Sequence, residues 1–248
     1  MLAIIGGSGL TQLSCLEISH RQIIRTPYGE PSGPLTFGKM KDQDIVFLAR
    51  HGHGHTIPPH AINYRANIWA LHSLQPSHVI AVASVGGIRS DLVPGSLVIP
   101  DQIVDYTYGR EFTYFGDKDQ RVRHVDFTLP YSQPTRALIL RASELANENV
   151  AQGGVYAATQ GPRLETAAEI IRLERDGADM VGMTGMPETA LARELGLQYA
   201  TIAVVANYAA GRGTNISAIP LREIYAVLEK AMVGVRNILE HVVSCHGD

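Results

Sequence analysis

HVIAVASVGG, residues 78–87, is an apolar run that ends on a hydroxyl residue, a valine and two glycines. Unbroken runs of this kind mark strands buried on both faces, as in the centre of a parallel sheet. Similar β-rich runs recur along the chain: LAIIG (2–6), DIVFLAR (44–50), SLVIPDQIVD (96–105), GGVYAATQG (153–161), DMVGMTG (179–185) and QYATIAVVAN (198–207). Helical patterns fall between them, over 58–74, 133–150, 165–179 and 187–196. A last helix over 218–244 puts Ile224, Val227, Leu228, Val235, Ile238, Leu239 and Val242 on one stripe, which reads as core. The alternation predicts an α/β fold in a single domain, residues 1–248.

The region 106–132, YTYGREFTYFGDKDQRVRHVDFTLPYS, breaks the alternation. It is aromatic, charged and rich in turns, and loops of that length in compact domains carry function or form interfaces. The 248 residues are 45% hydrophobic and 18% charged, with a formal charge of −3. That balance fits a soluble globular protein, and no basic run supplies a nucleic-acid footprint. No apolar run is long enough for a bilayer, and MLAIIGGSGL lacks the basic flank of a secretion signal, so a cytoplasmic protein is expected. Cys15 and Cys245 lie at opposite ends and give neither a disulfide framework nor a metal-ligand spacing.

Three turns that combine glycine with a hydroxyl follow strands: IIGGSGL (4–10), SVGGI (84–88) and GMTGMPE (182–188), carrying Ser8, Ser84 and Thr184. Such turns offer N–H groups and hydroxyls to an anion. Ligands of open α/β sheets gather at the C-terminal ends of strands. The dinucleotide fingerprint fails, because its third glycine position holds Gln12. ARHGHGHT (49–56) sets Arg50 beside His51, His53 and His55. If the strand continues, the three imidazoles share one face and could suit zinc, but no carboxylate stands near to orient them. A guanidinium beside an imidazole suits an oxyanion at least as well. With the three hydroxyl turns, a phosphate or sulfate pocket is the favoured reading. Glu165, in TQGPRLETAAE (159–169), falls at a helix start, where an acid helps the macrodipole without any further role. VVANYAAG (204–211) ends a buried strand on Asn207, whose amide both donates and accepts hydrogen bonds.

Together these stretches resemble the trimeric purine nucleoside phosphorylase and methylthioadenosine phosphorylase superfamily. The resemblance is carried by IIGGSGL, LARHGHGHTIPPHAINYRANIWAL, ASVGGIRSDLVPGSLVIPDQIVD, GPRLETAAEI, GADMVGMTGMPETALARELGL and YATIAVVANY. It implies a central mixed, largely parallel β-sheet flanked by helices, assembled as a homotrimer, with pairing of trimers left open. It also implies phosphorolysis of a purine nucleoside, with inorganic phosphate as co-substrate and neither metal nor organic cofactor. By position, the phosphate site would be Ser8, Arg50, His51, the backbone at Ser84 and the Thr184 hydroxyl. Met183 would lie against the ribose, and Glu165 and Asn207 would face the base. His124 falls in the stretch that in the family reaches into a neighbouring subunit's site.

Departures within the family sharpen the expectation. Its methylthioadenosine branch has Asp in place of Asn207, a second Asp in place of Ala209 and a small hydroxyl residue in place of Glu165. Its oxopurine branch has the Glu and Asn pair, but carries a histidine toward the ribose 5′-hydroxyl where this chain has Leu221, with Ile219 close by. His53 replaces an arginine of the oxopurine branch, and Leu164 replaces an aromatic that packs on the base. A 6-oxopurine pocket joined to an apolar 5′ pocket predicts 5′-methylthioinosine as substrate. A general inosine/guanosine phosphorylase and a methylthioadenosine phosphorylase are the alternatives. A nucleoside-binding module without catalysis would leave the phosphate residues unexplained, and a zinc hydrolase would need the three histidines to converge.

Overall fold

β5 (His78–Gly87) is the hub of an eleven-stranded sheet. The computed structural model describes residues 1–10, 13–116, 122–216, 218–219 and 221–246, the side chains of Leu221 and His246 excepted, so Gln12 lies outside the described residues. The first part of β5 runs parallel to β1 (Leu2–Gly6) on one side and β11 (Tyr199–Tyr208) on the other. β1 pairs in parallel with β4 (Gln43–Ala49), and β3 (Leu35–Met40) and β2 (Glu17–Gln22) extend that edge as antiparallel strands. At its C-terminal end β5 exchanges β1 for β10 (Met180–Gly182), which pairs antiparallel with Gly86 and Gly87. β9 (Val155–Ala158) and β7 (Gln102–Asp105) continue from β10 in parallel. β11 also carries β6 (Leu97–Ile99), which pairs with β8 (Val150–Gln152). Six of the ten pairings among these strands are parallel, which makes the sheet mixed and largely parallel.

The continuous apolar runs are explained by helices on both faces. Ala3 and Ile5 of β1 pack with α1 (Tyr64–His72) and α4 (Gly185–Glu194), through Ile68, Leu71 and Leu191. Leu2 and Ile4 point the other way, toward Ile139 of α2 (Gln133–Leu145) and toward Leu228, Val235 and Ile238 of α5 (Leu221–His246). A strand alternates its side chains between faces, so only a run apolar at every position can serve both. α3 (Ala167–Arg175) closes the remaining edge with Ile170 and Leu173 against Ala157 and Val181. Among the described residues no helix is long and apolar enough to cross a membrane.

Several elements differ from the sequence reading. SLVIPDQIVD is two strands, β6 and β7, separated by Pro100 and Asp101, because a proline cannot donate to a ladder. The helix read over 133–150 ends at Leu145, and a short turn leads from it into β8 at Val150. β2 and β3 are absent from the sequence reading: all six residues of β2 are exposed at the sheet edge, and the apolar pattern of β3 is broken by Gly38 and Lys39. Between β7 and α2 the described residues form no helix or strand, as the 106–132 composition predicts. That segment is still held to the body, since Glu194 accepts from the Thr113 hydroxyl at 2.6 Å and from the Tyr114 amide at 2.7 Å.

Candidate active site

The sheet splits where β5 changes partners. β1 accompanies β5 as far as Ala81, and β10 joins it only at Gly86. Crevices at such topological switch points collect ligands at the ends of strands. Here the exits of β1, β4, β5, β10 and β11 line one cavity of about 590 Å³, together with residues leading into α3 and the start of α5. Ser8, Arg50, His51, Ser84, Thr184, Met183, Leu164, Glu165 and Asn207, all expected from the sequence, line this one cavity.

Gly7 shows how tightly the floor is built. A Cβ there would sit 2.6 Å from the Val82 carbonyl oxygen and 2.8 Å from Arg50 Nη1. Arg50 is buried in the split, where its Nη1 donates to Val82 O at 2.9 Å. Its Nε and Nη2 donate to the two carboxylate oxygens of Glu188 at 2.7 and 2.8 Å, and Tyr199 Oη donates to Glu188 Oε1 at 2.7 Å. Burial opposes the charge on Arg50, but Glu188 outweighs it and holds the guanidinium pKa above its usual value. Three of the five N–H groups of Arg50 are thus engaged; among the described residues the other two have no acceptor, and Arg50 lines the cavity. Glu188 has no signal in the sequence, since an acid in the first turn of a helix says nothing of a buried partner on a distant strand.

His51 Nδ1 lies 2.8 Å from Ile57 O. A carbonyl only accepts, so Nδ1 carries the proton and Nε2 keeps a bare lone pair. Burial first, and then the charge of Arg50, lower the His51 pKa to about 4. The expectation that His51, His53 and His55 share a face is overturned. β4 ends at Ala49, and Gly52, Gly54 and His55 all take positive φ, so the chain turns instead of extending. His53 lines a separate cavity with Leu13 and Phe47, whereas His55 stays with Ser8, its Nε2 3.4 Å from the hydroxyl. Among the described residues no three His, Cys, Asp or Glu side chains are placed to hold a metal ion.

On the opposite wall, α3 starts later than the sequence suggests. Thr166 is its N-cap and forms a capping box with Glu169, which is the acid of the first turn. Glu165 therefore stands outside the helix, one residue before its N-cap. Its Oε1 accepts from the Thr159 hydroxyl at 2.6 Å. Asn207 is aimed by a β-bulge: Val205 pairs with Val85 and Asn207 with Gly86, leaving Ala206 as the extra residue. Ala206 and Asn207 consequently line the same cavity, which regular alternation would forbid. Asn207 Nδ2 donates to Tyr208 O at 2.6 Å, which fixes the amide and leaves Oδ1 and one N–H for a ligand.

Arg110, from the irregular segment, ties these walls together. It is buried, and its guanidinium donates to the carbonyls of Gln160, at 2.8 Å, Met183, at 2.8 Å, and Met186. Nothing in its surroundings in the sequence announces this role. Ile219, just before α5, and Ile224 and Tyr225, in its first turns, bring apolar surface to the same cavity. Ile224, on the apolar stripe of α5, is half-buried: it packs against the core and also lines the cavity. The side chain of Leu221 lies outside the described residues. His124 is exposed and does not join the cavity of its own chain.

The fold and site define an α/β protein that receives a small ligand across the ends of its strands, with hydroxyl and imidazole groups on one wall and a carboxylate and an amide on the other. The chain belongs to the phosphorylase superfamily, whose sequence profile matches residues 1–244, and it is an enzyme of the pentosyl-transferring type. It is 50% identical over 242 residues to a probable S-methyl-5′-thioinosine phosphorylase of Pseudomonas syringae, covering 98% of each chain. It is 46% identical over 215 residues to a 6-oxopurine nucleoside phosphorylase of Pyrococcus furiosus, covering 85% of this chain and 80% of the relative. Among solved structures, the methylthioadenosine phosphorylase of Schistosoma mansoni in complex with adenine superposes with a TM-score of 0.94 at 34% identity, covering 99% of this chain and 91% of the other.

Proposed function

We propose that this protein cleaves 5′-methylthioinosine with inorganic phosphate, giving hypoxanthine and 5-methylthioribose 1-phosphate. The observation that carries the reading is one cavity that joins Glu165 and Asn207 to the apolar Ile219, Ile224 and Tyr225. Glu165 accepts from N1–H, which a 6-oxopurine has and an adenine lacks. Asn207 accepts from N7 as it gains a proton and donates to O6. The apolar surface of Ile219, Ile224 and Tyr225 receives the methylthio group, with Leu221 expected to contribute.

Breaking the glycosidic bond leaves a cationic sugar and drives electrons into the base. Phosphate attacks C1′ from the wall of Ser8, Arg50, His51, Ser84 and Thr184, and its charge also stabilises the sugar cation. The bare Nε2 of His51 accepts a hydrogen bond from a P–OH group. Met183 and Leu164 pack on the ribose and base. No metal or organic cofactor is needed, since the anion and the hydrogen bonds to the purine supply both halves of the catalysis. A homotrimer in which His124 enters a neighbour's site gives the irregular segment its purpose. The reaction belongs to purine and methylthio salvage in the cytoplasm, a compartment that suits the two free cysteines.

The name of the Pseudomonas relative supports this substrate. The Pyrococcus relative favours a second reading, a general 6-oxopurine nucleoside phosphorylase that tolerates the 5′ substituent. Phosphate-dependent release of base from methylthioinosine, methylthioadenosine, inosine and adenosine separates them. A clear preference for methylthioinosine is expected. Equal turnover of inosine would favour the second reading, and preference for methylthioadenosine would end both.

A further inference from the structure

Glu165 belongs to a loop, yet a group that reads one hydrogen of a purine must be held within a fraction of an ångström. Thr159 supplies the anchor. It follows β9 directly, and its own backbone is fixed on both sides: its N–H donates to Gly182 O at 2.8 Å, and its carbonyl accepts from Arg110 Nη2 at 3.3 Å. Its hydroxyl has a single proton. One acceptor is Glu165 Oε1 at 2.6 Å and the other is Gly182 O at 3.3 Å, which already receives the Thr159 amide. The short bond to the carboxylate takes the proton. Among the described residues Glu165 Oε2 makes no hydrogen bond, so one oxygen is tied and the other is left to accept. Thr159 itself does not line the 590 Å³ cavity but a neighbouring one behind Glu165.

We propose that Thr159 is the positioning residue for base selection: its hydroxyl pins Oε1 of Glu165 so that Oε2 faces the N1–H of a 6-oxopurine. The inference rests on the reading of Glu165 given above. A carboxylate free to rotate, or to turn its second oxygen away, loses its grip on N1–H without losing its charge. A 6-aminopurine presents a bare N1 and gains nothing from the anchor.

The test is Thr159→Val, which keeps the shape and removes the hydroxyl, beside Thr159→Ser, which keeps the hydroxyl. Thr159→Val should lower kcat/KM for methylthioinosine roughly 10- to 100-fold, the range of one hydrogen bond to a charged group. Turnover of methylthioadenosine and the KM for phosphate should stay within about 3-fold, a separation that general damage to the site would not produce. Free hypoxanthine should bind more weakly by a factor similar to the kcat/KM loss, and Thr159→Ser should restore both. In a Glu165→Ala background the Thr159→Val change should cost nothing further. Additive losses, or an unchanged preference between the two nucleosides, would overturn the role of Thr159 alone. A wild-type enzyme with no preference for the 6-oxopurine would overturn the reading of Glu165, and this inference with it. Should Thr159→Val fail to fold, Thr159→Ala carries the same comparison.

Discussion

His51 has its protonation decided by the fold. Its ordinary pKa of 6.5 falls to about 4 through burial and the neighbouring charge of Arg50. The unfolded chain takes up a proton below pH 6.5 that the folded site refuses. Stability is therefore undiminished above that value, declines as the pH falls, and has lost about 3 kcal/mol on this account by pH 4. Between pH 7.5 and 5, urea unfolding should show the wild type losing about 2 kcal/mol more than His51→Gln. Equal losses would remove His51 as the source. The same neutrality leaves Nε2 an acceptor throughout the physiological range, which is what the proposed contact with a phosphate hydroxyl requires.

Each element brings a residue to the split in a way that its own pattern does not announce. α4 follows β10 through Thr184 and delivers Glu188 to Arg50, which comes from the end of β4. Neither side chain is more than 1% exposed. A buried pair of this kind gives little net stability as a unit, but losing one partner strands the other charge. Glu188→Leu should therefore destabilise the protein by roughly 3–5 kcal/mol, read as a lower urea midpoint. A loss under about 1 kcal/mol would mean that water reaches Arg50 and that the split is wetter than its packing implies. β11 contributes through its bulge at Ala206, without which Asn207 and Ala206 could not both face the cavity.

For the whole molecule, the irregular segment leaves large apolar side chains in solvent: Tyr108 is 72% and Phe112 67% exposed in the single chain. Exposed aromatics grouped along one segment mark surfaces that meet a partner. A second and third copy of this chain are the proposed partners, and sedimentation at micromolar concentration should read a trimer. Phe112→Asp should shift that equilibrium toward monomer and lower turnover as the protein is diluted. A wild-type monomer with full turnover would refute both the assembly and the role of His124.

The sequence by itself determined the α/β class and the central strands, and with the family resemblance it named nine of the residues that line the cavity. Those features follow from local chemistry: unbroken apolar runs such as HVIAVASVGG demand burial on both faces, and glycine and hydroxyl turns at strand ends leave donors unsatisfied. The edge strand β2 was not legible, because a strand exposed on every residue carries no burial pattern. Only the tertiary structure decided that His53 parts from His51, that Glu188 holds Arg50, that Arg110 binds two loops and that Thr159 anchors Glu165. Each of these depends on bond directions set by a turn, a bulge or a contact distant in sequence. Residue spacing along the chain does not encode such directions, and the packed sheet fixes them.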